Sequence, residues 1–353
     1  MVPGIGLGRR LNDIPAAPSM GAGFPTGVGM DGYFPLETGR RRTLKAAIGC
    51  VGIGLHSGKR VSLTLRPAEA GAGIRFRRTD LGVEIPALYD HVVDTRLCTA
   101  LGLAEAPEVR VGTVEHVMAA LAGCGVDDAI IELDGPEVPI LDGSAAPFVF
   151  LIDCTGLVAQ AGLGLPEAIE VLRPVQVQDG EGPDAAWAML EPTGGDRLEA
   201  SLTIDFPGTA IGRQSLEARI SPREFRAELA EARTFTLAEE VARLRAAGLA
   251  QGGSLANAVV VDGPLVLNPG GLRQADEFVR HKLLDVVGDL ALAGAPIRGR
   301  FSGHRSGHAL NNRLLRALFA DPANWRAVPS FTLPQALPAA EYVATRQPAM
   351  AVA

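Results

Sequence analysis

Hydrophobic and polar positions along the chain alternate at period two in some stretches and recur at helical spacing in others. Strands are predicted over 43–48, 61–65, 74–76 and 83–87, with Gly52-Ile53-Gly54 and His56-Ser57-Gly58 as turns between the first two. A short helix over 113–122 ends at Gly123 and Gly125, a strand follows over Ala129–Leu133, and Pro147 opens a helix to 154. The Gly/Pro-containing run 156–166 reads as a boundary. Beyond it, strands are predicted over 168–177, 188–190 and Leu198–Phe206. Ser221-Pro222-Arg223-Glu224 places Ser at N-cap, Pro at N1 and Glu at N3 of a helix to 233. A helix over 238–247, a strand over 258–261, a helix over 276–289, a strand over 297–301 and a helix over 308–319 complete the pattern. Past Asp321 the Pro/Ala-rich chain is expected to fray.

These elements predict an α+β fold of two similar small domains, 41–165 and 168–321, each a sheet covered by helices. Each half runs strands, a helix carrying a histidine (His116, His281), a glycine stop (Gly123, Gly294), a strand and a closing helix. The two histidine helices are therefore expected to face each other, with the active site at the domain interface. Fourteen of residues 1–40 are Gly or Pro, so a loosely ordered extension is expected there, and 322–353 read as a tail.

Composition narrows the function classes. A net charge of -7, with no basic cluster larger than Arg40-Arg41-Arg42, argues against a nucleic-acid partner. The four cysteines lack any C-x-x-C pair, which suits a reducing cytoplasm better than a disulfide framework. Apolar runs such as Phe148-Val149-Phe150-Leu151-Ile152 are too short to cross a bilayer. No unbroken apolar segment follows Arg9 and Arg10, so no secretory signal is expected. A cytoplasmic monomer is the expectation.

Candidate chemistry centres on the helix over 276–289. His281, Asp285 and Asp289 fall at i, i+4 and i+8, one stripe of a helix whose neighbouring Cβ atoms lie about 5–6 Å apart. An imidazole and a carboxylate so placed can reach one metal ion. Taken alone, the stripe reads more simply as a solvated face with an incidental His–Asp pair. A third ligand must come from elsewhere among six histidines, and His116 is favoured because Glu115 stands beside it. Adjacent helix residues diverge by about 100°, so Glu115 suits a general base on the metal's water better than a ligand. Thr-Val-Glu-His by itself fits a surface Glu beside a satisfied core His. His308 follows the loop Ser302-Gly303-His304-Arg305-Ser306-Gly307 and could be a protonated donor held by Asp289, or equally a helix cap.

The segments Gly54-Leu55-His56-Ser57-Gly58, Leu97-Cys98-Thr99, Thr113-Val114-Glu115-His116, Pro139-Ile140-Leu141-Asp142-Gly143-Ser144-Ala145, Arg233-Thr234-Phe235, His281-Lys282-Leu283-Leu284-Asp285 and Ser306-Gly307-His308-Ala309-Leu310 together resemble the UDP-3-O-acyl-N-acetylglucosamine deacetylases. The resemblance runs in order from about Arg42 to Phe319. It implies a zinc-dependent hydrolysis of the N-acetyl group of UDP-3-O-acyl-N-acetylglucosamine, the committed step of lipid A synthesis in Gram-negative bacteria. It further implies Zn2+ held by His116, His281 and Asp285, with Glu115 as general base and Thr234 as oxyanion donor. His308, held by Asp289, would act on the amine side. Lys282, Phe206, Phe235, Arg305, Cys98 and His56 would meet the substrate. An insertion near 235–267 would form an apolar acyl passage with Val241, Ala250, Ala258 and Val260 as wall candidates, although ordinary packing explains those small residues equally well.

Two positions depart from that pattern. Thr236 stands where Gly is expected, and His304 competes with His308 for the donor role, the Ser-Gly-His-Ala match favouring His308. Three rivals remain: a zinc amidase with another N-acyl substrate, a non-catalytic binder clamped by zinc, and a metal-free nucleotide-sugar binder.

Overall fold

Two helices lying against each other organise the computed structural model, which describes residues 40–160, 167–182 and 185–330. The expectations for residues 1–39, for 161–166 in the boundary run and for 331–353 in the tail lie outside the described residues. From the amino end run β1 (Arg42–Leu44), β2 (Ile48–Ile53), β3 (Arg60–Pro67), β4 (Ile74–Arg78), β5 (Val83–Pro86), β6 (Val92–Asp94), β7 (Ala100–Leu103) and β8 (Ala106–Val111). Then come α1 (Glu115–Cys124), β9 (Ala129–Leu133), α2 (Ala146–Thr155) and β10 (Leu157–Ala159). The second half holds β11 (Glu167–Val171), β12 (Val175–Asp179), β13 (Ala186–Glu191), β14 (Leu198–Phe206), β15 (Gly212–Arg219), α3 (Pro222–Glu224), β16 (Phe235–Leu237) and α4 (Ala238–Ala246). It closes with β17 (Val259–Asp262), β18 (Leu265–Val266), α5 (Glu277–Ala291), β19 (Ile297–His304), α6 (His308–Ala320) and β20 (Trp325–Pro329).

The expected α+β character holds. In the first half a mixed sheet runs β2-β3-β9-β4-β5, flanked by a β6-β7-β8 sheet and the β1-β10 pair. In the second half a seven-stranded sheet is built around β19, which pairs parallel with β11 and β14 and antiparallel with β13. The alternation along β14 buries Ala200, Leu202 and Ile204 on one face. The α1 helix is apolar nearly all round and is almost wholly buried, as expected of a helix covered on several sides.

The α1–α5 packing is close because Gly288 presents no side chain: a Cβ there would overlap the carbonyl of Glu115. The paired histidine helices predicted from the sequence thus do face each other, with the His116 and His281 ring centroids 5.0 Å apart.

Several element predictions need correction. The strand over 43–48 is two strands, parted where Lys45 N donates to the Gly156 carbonyl at 3.0 Å, and Gly52-Ile53 belongs to β2 rather than to a turn. The strand over 168–177 is broken at Pro174, which cannot donate to a ladder. Strands β6, β7, β8, β10, β15, β16 and β18 were not predicted, and β10 lies within the run read as a boundary. The first three are short or polar, and β15 sets Gly212 and Gln214 in the row that would have shown apolar alternation. Gly123 does not stop α1. It lies inside the helix, where a Cβ would strike the Phe225 ring, and Gly125 at φ 71° ends it. The helix predicted to reach 233 starts as expected, with Ser221 Oγ accepting from Glu224 N at 3.3 Å, but passes into a wide turn over Phe225–Leu229 and stops. The chain after Asp321 does not fray at once: β20 pairs along its whole length with β11.

Candidate metal centre and its proton-transfer groups

The stripe on α5 and the start of α1 meet in one buried cluster. His116, His281 and Asp285 are each at least 97 % buried, and each offers a ligand atom within 4.8 Å of the others. His281 Nε2 lies 3.4 Å from Asp285 Oδ1, and His116 Nε2 lies 3.7 Å from the same oxygen. Ligand atoms at the corners of a tetrahedron with bonds of roughly 2.0–2.1 Å stand about 3.3 Å apart, so the spacing suits a metal ion with little adjustment.

Three observations show that the donors fit a cation. Asp285 Oδ1 is buried and has no hydrogen-bond partner, an arrangement that is costly unless a cation completes it. Burial, reinforced by the charge of His281, lowers His116 to about 3, so its imidazole is neutral and its lone pair available. His281 Nδ1 lies 3.0 Å from the Ala232 carbonyl, to which it donates, leaving Nε2 to face the cluster. Burial would raise Asp285, but His281 and Lys282 outweigh it and hold the carboxyl well below the usual carboxylate range. Lys282 Nζ donates to Asp285 Oδ2 at 2.8 Å, which orients the ligand carboxylate from outside.

Beside this cluster lie a base and an acid. Burial raises Glu115 to about 7, against the pull of His308 and with a push from Asp285 and Asp289. Burial alone would lower His308, yet Asp289 and Glu115 prevail and raise it to about 9. The Nδ1 of His308 donates to Asp289 Oδ2 at 2.9 Å, and its Nε2 faces Glu115 Oε1 at 3.8 Å. Near neutral pH the pair can therefore hold one group able to take a proton and another able to give one.

Sequence reading missed the residues that fix this pair. Thr99 donates its backbone N–H to Glu115 Oε2 at 3.0 Å and its hydroxyl to Asp289 Oδ1 at 2.6 Å. Asn311 Nδ2 donates to Asp289 Oδ2 at 2.8 Å. The only signal was that Thr99 sits in Leu97-Cys98-Thr99. Glu137 was missed as well: it accepts from His56 N at 2.8 Å, Ser57 N at 2.9 Å and Thr113 Oγ1 at 3.2 Å. It thereby anchors the His56 loop to Thr113, which leads into α1 at φ 57°.

The remaining candidates divide. Phe235 packs edge-on against Phe206, Phe278 and His281, which places Phe206 and Phe235 beside the cluster. Thr234 follows the Ala232 carbonyl that holds His281 by two residues. Cys98 lies next to Gly112 and is raised to about 12 by burial and then by Glu115, so it is a thiol. His56 has both ring nitrogens buried without a partner, and Gln251 N donates to its carbonyl at 3.3 Å. Arg305 sits at φ 51° with its N–H on the Thr203 carbonyl at 2.7 Å. His304 ends β19, and it is His308 that meets Asp289. The 235–267 stretch is a βαββ unit: Val241 lies on α4, Val260 on β17, Ala258 is buried just before β17, and Ala250 takes φ 51° in the loop between them. Leu255, Leu265 and Leu267 are exposed on this unit. Among the described residues no helix is long and apolar enough to cross a membrane.

Comparison with known proteins agrees with the geometry. The family model described as UDP-3-O-acyl N-acetylglycosamine deacetylase matches residues 41–320. The chain is 50% identical over 292 residues to a UDP-3-O-acyl-N-acetylglucosamine deacetylase of Acidithiobacillus ferrooxidans, covering 82% of this chain and 93% of that protein. It is 50% identical over 289 residues to the protein of the same name from Anaeromyxobacter dehalogenans, covering 82% and 90%. A Myxococcus xanthus protein of that name is 50% identical over 293 residues, again covering 82% and 90%. With a matched span that takes in both histidine helices and the loop before His308, the chain belongs to the UDP-3-O-acyl N-acetylglycosamine deacetylase family.

Proposed function

We propose that the protein hydrolyses the N-acetyl group of UDP-3-O-acyl-N-acetylglucosamine, releasing acetate, with zinc held by His116, His281 and Asp285, in the cytoplasm and as the committed step of lipid A synthesis. One observation carries the reading: the orphaned Asp285 Oδ1 and the imidazoles of His116 and His281 lie beside a buried base–acid pair, and each half of the chain supplies part of the set. Two nitrogens and one carboxylate oxygen are a ligand set of the catalytic zinc type, which leaves a position open, whereas structural sites usually use four protein ligands. When bound, zinc would polarise the acetamide carbonyl and make water acidic enough to attack near neutral pH.

The chain's own groups do the rest. Glu115 Oε1 takes the proton of the attacking water. Thr234 donates to the oxyanion as the carbonyl becomes tetrahedral, a task that requires a preplaced donor. His308 gives its Nε2 proton to the departing sugar nitrogen, and Asp289 keeps that imidazole charged and aimed. Phe206 and Phe235 present aromatic faces to the nucleotide sugar, Lys282 and Arg305 supply positive charge for its diphosphate within an acidic chain, and Cys98 and His56 border the sugar. The unit over 235–267 receives the acyl chain, with Val241, Ala250, Ala258 and Val260 as wall residues.

Zinc content and acetate release, measured together, test the reading. Glu115→Ala is expected to keep its zinc and lose about 10²–10⁴-fold in turnover, and His281→Ala to lose zinc. Near-normal turnover by Glu115→Ala would remove the base assignment. Equal rates on unrelated N-acetyl sugars would favour an amidase of broader substrate choice.

A further inference from the structure

The stripe of α5 that bears His281, Asp285 and Asp289 begins one turn earlier, at Glu277. This carboxylate is completely buried. Its Oε1 accepts from Arg233 N at 3.0 Å and Arg233 Nε at 2.8 Å, and its Oε2 accepts from Arg233 Nη2 at 3.0 Å and Arg273 N at 2.7 Å. The residue gripped in this way immediately precedes Thr234. On the other side of Arg233, the Ala232 carbonyl accepts from His281 Nδ1.

Thr234 is held from its own side too. Its N–H donates to the Gly143 carbonyl at 2.8 Å, and its carbonyl accepts from Val259 N at 2.8 Å. The turn that carries Gly143 is tied back to the same carboxylate, because Arg273 Nη2 donates to Asp142 Oδ2 at 2.9 Å while Arg273 N donates to Glu277. Asp142 Oδ1 in turn accepts from Ser144 N and Oγ at 3.0 and 2.8 Å. Glu277 therefore grips the backbone and the guanidinium of the residue before Thr234 and, through Arg273, the turn that receives the Thr234 N–H. A forked guanidinium–carboxylate pair fixes plane as well as distance. An oxyanion donor is effective only when such neighbours leave it no freedom to drift.

We infer that Glu277 is a positioning residue for the Thr234 hydroxyl, setting the oxyanion donor from the same helix stripe that carries two of the three metal ligands and the orienter of His308. The inference rests on the oxyanion role of Thr234 in the proposed function. It predicts that Glu277 acts through Thr234, and a merely structural carboxylate would not.

A double-mutant cycle tests this, with kcat, KM and zinc content measured for Glu277→Gln, Thr234→Ala and the pair. Thr234→Ala is expected to lower kcat by about 10²–10³-fold. Glu277→Gln is expected to lower kcat by about 10–100-fold with KM within about threefold and full zinc, as a small misplacement would. Added to Thr234→Ala, the same change is expected to cost less than about threefold more, since the donor it positions is already gone. If Glu277→Gln fails to fold, Arg233→Lys enters the same cycle, keeping the charge and losing the fork. Multiplying losses, loss of zinc, or an unchanged kcat would each overturn the inference. Full activity in Thr234→Ala would instead overturn the oxyanion role itself, and this inference with it.

Discussion

Thr99 shows how much of this site is decided by single contacts over long sequence distance. Its backbone and hydroxyl join Glu115 to Asp289, a residue 190 positions away. Glu115, His116, His281, Asp285 and Asp289 were legible in the sequence because their spacing is local. Thr99, Asn311 and the Ala232 carbonyl were not, because each is defined by a partner on another element. The paired pKa values have a kinetic consequence. Glu115 acts as a base only after losing its proton, and His308 as an acid only while keeping its own. Turnover should therefore rise with pH through the Glu115 value, about 7 before a nearby cation lowers it, and fall through about 9 as His308 deprotonates. Asp289→Asn removes the hydrogen-bonded charge that holds His308 up, so the alkaline limb of the kcat profile should move to lower pH. An unmoved limb would detach His308 from that limb.

The helix pair is the element on which the site depends. Both helices could be placed from their apolar period, but their depth of contact could not, since nothing local says that Gly288 rests on the Glu115 backbone. Gly288→Ala is expected to force the helices apart, costing about 1–3 kcal/mol in denaturant unfolding and weakening zinc binding. Gly194→Ala, whose Cβ would meet no atom, should stay within about 0.5 kcal/mol. An equal effect of the two would show that the close approach is not what constrains α1 against α5. The early end of the helix predicted to reach 233 has the same kind of cause. The Arg233 N–H, which a helix to 233 would direct at the Leu229 carbonyl, is taken by Glu277 and so is withdrawn from the helical ladder. The unpredicted β20 forms because β11 offers it a free edge, not because of its own alternation.

At the scale of the whole molecule, a metal in this site would join the two halves, since His116 comes from α1 and His281 and Asp285 come from α5. An ion bound only by the folded chain adds about 2.7 kcal/mol at a hundredfold excess over its Kd. Chelation is therefore expected to lower Tm, zinc to restore it, and His281→Ala to abolish the difference. A Tm indifferent to chelation would count against the ligand assignment. The sequence by itself determined the α+β class, the two histidine helices and the four-residue stripe, because periodicity and helical spacing are properties of neighbouring residues. It also determined the family, because many short motifs recur in order. Only the tertiary structure decided what surrounds the stripe: burial raises Glu115, Asp289 holds His308 charged, and Asp285 keeps an oxygen without a partner. Those properties arise from desolvation and from charges brought together across the fold, and no local pattern of residues encodes them.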